Sequence, residues 1–194
     1  MSKWLRSNAH VSFKVDGSVA YVTLNRPEVR NALSWDLLSE YRDALLEADD
    51  LTRVAVVVIS GAGGHFCAGY DMKAAYQRYE QEAEGTQQTY RTGSATLDDD
   101  AWKLERFQEL LQTPLNMHKP VIAKVHGSCL AGGTDLALYC DLILAANSAR
   151  IGYPATRAMG SPPNQMWIYH MGPQWAKRLL LTGDVVRSEE RRVG

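Results

Sequence analysis

The hydrophobic positions near the start of the chain alternate as in β-strands and then change to helical spacing. Apolar residues alternate or run together over residues 13–15 and Val19–Leu24, with Asp16 and Gly17 between them. An Asp-Gly pair between two apolar runs favours a β-hairpin. Ser34 is a good N-cap for a helix to about Asp49. Helical spacing places one apolar face at Leu37, Leu38, Tyr41, Leu45 and Leu46.

The pattern over residues 54–120 predicts a buried strand followed by glycines and helices. Residues 54–60 (VAVVVIS) are apolar and β-branched on both faces, which predicts a parallel strand covered on both sides. Glycine-rich residues 61–69 follow it. The mostly polar residues 75–100 predict a mobile, partly helical excursion over the surface. Residues 102–116 have helical spacing, and Lys119-Pro120 marks the end of that helix.

The order of strand, glycine loop and helix then occurs again. The predicted elements are a strand at 120–125, a small-residue loop at 127–133, a helix at 134–139, a strand at Leu142–Ala145 and a helix at 173–182 closed by Gly183. Because strand, glycine loop and helix occur twice, we predict a layered α/β architecture of successive turns.

Composition narrows the class of protein. A chain of 194 residues with a formal net charge of −1 predicts one domain without the basic bias of nucleic-acid-binding proteins. Its longest apolar run, residues 54–59, is far below the roughly 20 residues of a membrane helix, and no secretory signal is visible. Cys67, Cys129 and Cys140 form no C-x-x-C pair, which favours a reduced, cytoplasmic setting. The histidines show no metal-ligand spacing, so no metal is expected.

Both glycine loops could bind an anion through their backbone N–H groups. A glycine loop that leads into a helix presents unpaired backbone N–H groups, a site that favours an anion. Two such loops brought together could hold one oxygen between two donors, as an oxyanion hole does. The alternative is that both are ordinary strand-to-helix turns. Neither loop matches G-x-G-x-x-G or G-x-x-x-x-G-K-[ST], which disfavours nucleotide phosphate binding.

Four motifs in this order and spacing resemble the crotonase family, the enoyl-CoA hydratase/isomerase superfamily. They are VTLNRP at residues 22–27 with NAL at 31–33, FCAGYDMK at 66–73, PVIAKVHG at 120–127, and AGGTD at 131–135 with Cys140-Asp141. The resemblance covers about residues 11–183. It implies an α/β spiral of ββα turns, assembled as a homotrimer or hexamer.

The resemblance also implies a ligand and its site. The ligand would be an acyl-CoA thioester, with no metal or redox cofactor, because coenzyme A is part of the substrate. The N–H groups of Tyr70 and Gly132 would form the oxyanion hole. Residues expected to line the thioester and the coenzyme A are Arg30, Ala32, Ala68, Tyr70, Asp71, Met72, Lys73 and Gly132.

The sequence departs from the family pattern at both glutamate positions of its typical hydratases. Asp135 stands at the first, three residues after Gly132, and Ala155 stands at the second. We expect Asp135 to be the catalytic acid/base, although a carboxylate there could simply complement a helix dipole. The same alternative of a helix cap applies to Asp71. Accessory groups that could replace the second carboxylate are His126, Tyr153 and Arg157.

The resemblance carries an expectation about the end of the chain. Family members usually continue past the position of Gly183 with helices that form the trimer, so we expect residues 1–186 to be an incomplete crotonase-like core domain that lacks these C-terminal trimerisation helices. Residues 187–194 have no apolar periodicity and resemble a translated sequencing adapter, so we expect them to be an artefactual tail.

The favoured function is an acyl-CoA-processing enzyme of the enoyl-CoA hydratase/isomerase family that stabilises a thioester enolate. Retention of Asp135 favours it. A non-catalytic acyl-CoA-binding protein is the alternative that Ala155 favours. A third possibility is a lyase, hydrolase or decarboxylase on the same scaffold, which would use Tyr153 or His126.

Overall fold

A computed structural model of the chain describes residues 2–83, 91, 95–158, 160 and 165–187. The predicted hairpin is confirmed: β1 (Val11–Asp16) and β2 (Val19–Leu24) pair antiparallel, with Asp16 opposite Val19. Only two residues make the turn. Gly17, the first of them, has φ 56°, which glycine adopts without a steric penalty.

A five-stranded sheet forms the centre of the fold. Its order is β1-β2-β3-β4-β6, with β3 at Val56–Gly61, β4 at Val121–Val125 and β6 at Leu142–Ala145. All neighbours except β1 and β2 are parallel. Parallel neighbours need long crossover connections. Between β2 and β3 this connection includes helix α1 (Trp35–Asp50), and between β3 and β4 it includes α2 (Met72–Ala83) and α3 (Leu97–Leu111).

The core lies on one face of this sheet. Alternate residues of β2, β3 and β4 are buried, because successive side chains of a strand point to opposite faces. Helix α1 contacts β1 and β2. Its predicted N-cap is confirmed, since the Ser34 hydroxyl accepts the N–H of Leu37 at 3.2 Å. The predicted apolar face is buried at Leu37, Leu38, Tyr41 and Leu45.

The other face of the sheet is more open than predicted. On β3 the alternate residues Val56, Val58 and Ser60 stay half-buried, so the expectation of a strand covered on both sides is wrong within the described chain. On β6, Leu142 and Leu144 are 58% and 61% exposed. Alternate residues of a strand point to opposite faces, and only one face of β3 carries the buried residues.

A second, three-stranded sheet was not predicted. It has the order β5-β7-β8, with β5 at Ser128–Leu130, β7 at Arg150–Gly152 and β8 at Val185–Arg187. Three residues are too few for a period of two to be visible in sequence. Strand β5 lies inside the predicted small-residue loop. Arg187, the first residue of the expected artefactual tail, pairs with Arg150, and the rest of that tail lies outside the described residues.

Three helices begin earlier than predicted. Helix α3 begins at Leu97 because the Thr96 hydroxyl caps it, accepting the N–H of Asp99 at 3.0 Å, and it ends at Leu111. Helix α4 is Gly132–Leu138. Helix α5 is Met166–Thr182, broken at Gly172 just before Pro173, and Gly183 ends it as predicted. Helix α2 occupies the start of the predicted excursion, of which residues 84–90 and 92–94 lie outside the described part.

The repeated order of strand, glycine loop and helix is confirmed at β3–α2 and at β4–α4. None of the described helices combines the length and apolarity that crossing a bilayer requires.

Candidate active site

The two glycine loops lie against each other through backbone pairing. The N–H of Phe66 donates to the carbonyl of His126 at 2.9 Å, and the N–H of Cys67 donates to the carbonyl of Ser128 at 2.9 Å. In return, the Cys67 carbonyl accepts the N–H of Leu130 at 3.0 Å. The first loop therefore adds a short parallel pairing to β5, just before the second loop turns into α4.

The opposite edge of the same segment pairs with the chain before α1. The N–H of Leu33 donates to the carbonyl of Gly69 at 2.8 Å, and the N–H of Asp71 donates to the carbonyl of Leu33 at 2.9 Å. The N–H of Ala68 donates to the carbonyl of Arg30 at 3.0 Å. Residues 66–71, which we call the bridging segment, are thus held from both sides.

A buried asparagine fixes the entry to the bridging segment. Asn31 is fully buried at φ 56°, a left-handed conformation that asparagine tolerates. Its Nδ2 donates to the carbonyls of Ala62 at 2.9 Å, His65 at 2.8 Å and Phe66 at 3.2 Å. Its Oδ1 accepts the N–H of Arg26 at 2.9 Å. One amide therefore satisfies four backbone groups of three separate turns.

Close contact between the loops excludes side chains at two glycines and imposes an unusual backbone conformation on one alanine. Gly69 has φ 112°, and a Cβ there would lie 3.0 Å from the Ala131 Cβ and 3.1 Å from the Leu130 carbonyl oxygen. A Cβ on Gly133 would lie 2.5 Å from the Cys67 carbonyl oxygen. Ala131 takes a positive φ of 49° to deliver the chain into α4. Such a conformation costs roughly 1–3 kcal/mol in an L-residue and persists only where the surroundings enforce it.

Two backbone donors remain available where the loops meet. Around Tyr70, the N–H groups of Cys67, Ala68, Asp71 and Met72 all donate hydrogen bonds. Within the part of the chain that the structure describes, the N–H of Tyr70 and that of Gly132 donate none. Two neighbouring backbone donors without a protein partner suit a single carbonyl oxygen.

A buried carboxylate lies in the first turn of α4, beside these donors. Asp135 is fully buried. Its Oδ1 accepts the indole N–H of Trp167 at 2.8 Å, and its Oδ2 accepts the hydroxyl of Tyr70 at 3.1 Å. Trp167 is fully buried and comes from α5. The tyrosine that carries one candidate oxyanion donor therefore also contacts the candidate acid/base.

Burial and the charge of Asp135 suppress ionisation of the groups around it. Burial, and then the nearby Asp135 charge, raise the pKa of the Tyr70 hydroxyl well above its ordinary value. The same two causes raise the pKa of Tyr153. Burial chiefly raises the pKa of the Cys67 thiol to about 12. All three groups stay protonated at neutral pH and can act there as donors.

Asp71 caps a helix, which is the alternative role that the sequence offers for it. Its Oδ1 accepts the N–H of Ala74 at 3.0 Å at the start of α2, and its Oδ2 pairs with Arg26 Nη1 at 2.9 Å. Partial burial alone would raise the pKa of this carboxyl, but the Ala74 N–H and the Arg26 guanidinium hold it below its ordinary value.

Of the accessory candidates, Tyr153 lies beside the contacts of Asp135, and Arg157 does not. Tyr153 is buried and packs edge-on against Trp167, with ring centroids 5.7 Å apart. Arg157 instead extends to the C-terminal end of α5, where its Nε donates to the Thr182 carbonyl at 2.9 Å. Ala155 packs against the core, and its carbonyl accepts the N–H of Gly160 at 2.8 Å.

His126 lines a cleft whose lining does not include Asp135. Its Nε2 donates to the Gly63 carbonyl at 3.0 Å. It lines an open cleft of about 540 Å³ at the ends of β3, β4 and β6, together with Lys124 and Leu144 on the open face of the sheet. A role for His126 in proton transfer with Asp135 therefore has no geometric support.

The candidates for coenzyme A contact lie along the bridging segment. Arg30 is exposed, Ala32 and Ala68 are half-buried, and Met72 and Lys73 are exposed at the start of α2. The carbonyl of Ala32 accepts Arg26 Nη1 at 2.8 Å. Backbone pairing places Arg30 next to Ala68, which belongs to the same segment as Tyr70.

Two features of the site had no signal in the sequence. Trp167 lies 32 residues after Asp135, in a stretch where no helix was predicted. The Tyr70 hydroxyl reaches a residue 65 positions away, and the glycine motif drew attention only to its N–H.

Comparisons with known proteins concern the family and the fold of the chain. The family described as "Enoyl-CoA hydratase/isomerase" has a sequence model that matches residues 14–194. The chain is 34% identical over 134 residues to a peroxisomal Delta(3,5)-Delta(2,4)-dienoyl-CoA isomerase of Arabidopsis thaliana, covering 69% of this chain and 46% of that protein. It is 32% identical over 191 residues to a crotonyl-CoA hydratase of Syntrophomonas wolfei, covering 95% and 66%.

A solved structure is similar over nearly the whole chain. An enoyl-CoA hydratase from Mycobacterium smegmatis superposes with a TM-score of 0.82 at 32% identity, covering 96% of this chain and 63% of that one. The chain thus spans between about half and two thirds of the length of these relatives.

The Asn31 amide should contribute more to stability than its neighbour in sequence. Asn31→Ala leaves buried backbone groups without partners, each at roughly 1–3 kcal/mol, so we expect the free energy of unfolding to fall by about 3–5 kcal/mol in urea titrations. Arg30→Ala is the control, because Arg30 also has a positive φ, 54°, but is exposed. Equal losses in both variants would contradict this role of the amide.

The two adjacent glycines should respond differently to alanine. Gly133→Ala places a methyl group against the backbone carbonyl of Cys67, whereas Gly132→Ala meets only side-chain atoms of Tyr70, whose displacement costs contacts with Phe107 and Gln108 but no backbone movement. We expect Gly133→Ala to lower the free energy of unfolding by about 2–3 kcal/mol and Gly132→Ala by about 1 kcal/mol. The reverse order in the same denaturation experiment would show that the contact between the loops is not the tighter one.

Proposed function

The chain belongs to the enoyl-CoA hydratase/isomerase family, and from that premise we propose that it converts acyl-CoA thioesters through an enolate. The observation that carries the proposal is a pair of backbone N–H groups, those of Tyr70 and Gly132. Neither donates to a described residue, and both belong to the segments that meet near the buried Asp135. The thioester oxygen would lie between the two donors.

The two amides would lower the barrier to forming the enolate. A thioester enolate is unstable in water, and fixed donors in a dry site stabilise the charge that develops on its oxygen. Removing one donor from a comparable hole costs about 3–4 kcal/mol. Because Tyr70 and Gly132 belong to segments that are paired with each other through β5, neither donor has to move to reach its position.

Asp135 would transfer the proton. General acid–base catalysis of this kind contributes about 10²–10⁴-fold. Trp167 and Tyr70 each donate to one carboxylate oxygen. A carboxylate has about four lone-pair positions, so these two donors do not by themselves prevent it from accepting a proton from carbon.

The number of carboxylates favours a double-bond shift over hydration. Addition of water uses one group to activate the water and another for the α-carbon, and the family position of the second glutamate is Ala155 here. A double-bond shift needs one base that takes a proton from one carbon and returns it to another. The named dienoyl-CoA isomerase among the relatives supports this choice, while the crotonyl-CoA hydratase supports the alternative.

A non-catalytic acyl-CoA-binding protein is the second candidate. Ala155 favours it, because binding needs the two amides but no acid/base pair. A lyase, hydrolase or decarboxylase that relies on His126 is disfavoured by the position of that residue at the outer cleft. Tyr153 remains available to such a reaction only as a proton donor, given its raised pKa.

Assembly and location are parts of the same proposal. A homotrimer or hexamer would cover the apolar residues Leu142 and Leu144 on the open face of the main sheet. The three buried, unpaired cysteines are compatible with a cytoplasmic location. We expect no resident metal or redox cofactor, since coenzyme A arrives with the substrate.

Asp135→Asn tests the proposed acid/base. The asparagine is nearly isosteric but cannot take up a proton, so we expect kcat to fall by about 10²–10⁴-fold while the acyl-CoA dissociation constant changes by less than about threefold. Turnover of crotonyl-CoA and of 3-enoyl-CoA thioesters is followed at the thioester absorbance, and binding by calorimetry. Asp16→Asn, in the hairpin far from the site, is the control for loss of one charge.

The outcomes separate the candidates. Unchanged turnover in Asp135→Asn would remove this residue from the mechanism. Micromolar acyl-CoA binding without turnover in the unaltered chain would favour the binding protein. Absence of both binding and turnover would contradict both functions.

A further inference from the structure

We infer that the side chain of Tyr70 is a positioning residue that orients the Asp135 carboxylate for proton transfer, an inference that rests on the proposed function. Its hydroxyl donates to Oδ2 at 3.1 Å, while the Trp167 indole donates to Oδ1 at 2.8 Å. One donor on each oxygen fixes both the tilt and the rotation of the carboxylate plane. A side-chain role of this kind is separate from the role proposed for the Tyr70 backbone N–H.

The Tyr70 ring is itself held on two sides. A Cβ on Gly132 would lie 2.7 Å from Cζ of Tyr70 and 2.9 Å from each Cε, so the end of the ring covers the Gly132 Cα. From the other side, the ring of Phe107 lies 5.7 Å away between centroids. Gln108 Nε2, one residue further along α3, donates to the Tyr70 hydroxyl at 3.5 Å. The hydroxyl therefore has a defined direction before any ligand binds.

This arrangement gives Gly132 a second reason to lack a side chain. The sequence alone indicates Gly132 only as a backbone donor that lines the ligand. The structure shows that the Tyr70 ring already occupies the space of a Cβ. The ring and the hydroxyl contact thus depend on the same glycine whose N–H is the second oxyanion donor.

Tyr70 then links the binding of the enolate oxygen to the proton transfer by Asp135. The N–H of Tyr70 faces the oxyanion site, and its hydroxyl lies on Asp135, so covalent geometry sets the distance between the enolate oxygen and the proton-transferring carboxylate. Misplacement of a reacting group by about 1 Å can cost about 10²-fold in rate. Holding the carboxylate through the residue that also binds the oxygen reduces such misplacement.

The titratable groups that couple to the carboxylate do not change charge near neutral pH. The titratable groups whose charges couple to Asp135 are Cys67, Tyr70, Cys129, Tyr139 and Tyr153. Burial is the largest cause of a raised pKa in each of them, so they stay protonated across neutral pH. A change in the acid limb of a pH profile then reports on the carboxylate.

Tyr70→Phe tests the inference, with Tyr139→Phe as the matched control. Tyr139 also couples to Asp135, and its hydroxyl also accepts from a glutamine, Gln112, just after the end of α3, at 3.5 Å. For Tyr70→Phe we expect kcat to fall by about 10–100-fold with KM changed by less than about threefold, because hydrogen bonds to charged groups are among the stronger ones. The acid limb of the kcat/KM profile should move to higher pH, since the lost donor favours the charged carboxylate. Tyr139→Phe should change each value by less than about twofold.

A second readout does not depend on turnover. In the chain labelled with ¹³C at aspartate carboxyls, the Asp135 resonance is identified as the one that Asp135→Asn removes. Its titration midpoint should rise in Tyr70→Phe and stay in place in Tyr139→Phe. Thermal unfolding compares the folding of the two variants. If Tyr70→Phe does not fold, Gln108→Met, which leaves Tyr70 in place and removes its orienting amide, should move the midpoint in the same direction by a smaller amount.

The inference and the proposed function can fail separately. Activity that depends on Asp135 together with unchanged kcat, profile and midpoint in Tyr70→Phe would overturn the inference and keep the function. Absence of turnover in the unaltered chain would overturn the function, and the carboxyl midpoint would still decide whether Tyr70 orients Asp135. Equal effects of the Tyr70 and Tyr139 variants would also overturn the inference.

Discussion

The pairing of the bridging segment, residues 66–71, between Leu33 and strand β5 is the constraint on which the rest of the structure depends. Phe66 and Cys67 donate to carbonyls of the second loop on one side, and Ala68 and Asp71 donate to carbonyls of the chain before α1 on the other. The N–H of Tyr70 is left without a described partner because it falls between these bonds. The same pairing brings Gly69 against Gly132 and so places the second donor.

The need to compensate a buried charge explains the other half of the site. A carboxylate removed from water is costly unless it is hydrogen-bonded. Asp135 receives the Trp167 indole and the Tyr70 hydroxyl, which come from α5 and from the bridging segment. Stabilising this carboxylate therefore ties together the elements that enclose it. The same two contacts hold the carboxylate in place, so one arrangement serves stability and the proposed chemistry.

Sequence patterns predicted the elements whose signals are local. The hairpin follows from Asp16 and Gly17, α1 from Ser34 and its apolar face, and the two loops from their glycines. Strands β5, β7 and β8 are three residues long and gave no periodicity. The motifs indicate Tyr70 and Gly132 as candidate backbone donors, because the glycines of both loops are visible in sequence. They did not locate Trp167 or the Tyr70 hydroxyl, because contacts across 32 and 65 residues depend on how α4 and α5 pack.

The central claim is that the N–H groups of Tyr70 and Gly132 together bind a thioester oxygen. Infrared difference spectroscopy of butyryl-CoA, a saturated thioester labelled with ¹³C at its carbonyl, tests it most directly when the ligand binds to the chain. Two donors on one oxygen polarise the carbonyl, so the account predicts that the labelled band moves to lower wavenumber on binding. Saturable binding with the band at its position in free solution would contradict the oxyanion site.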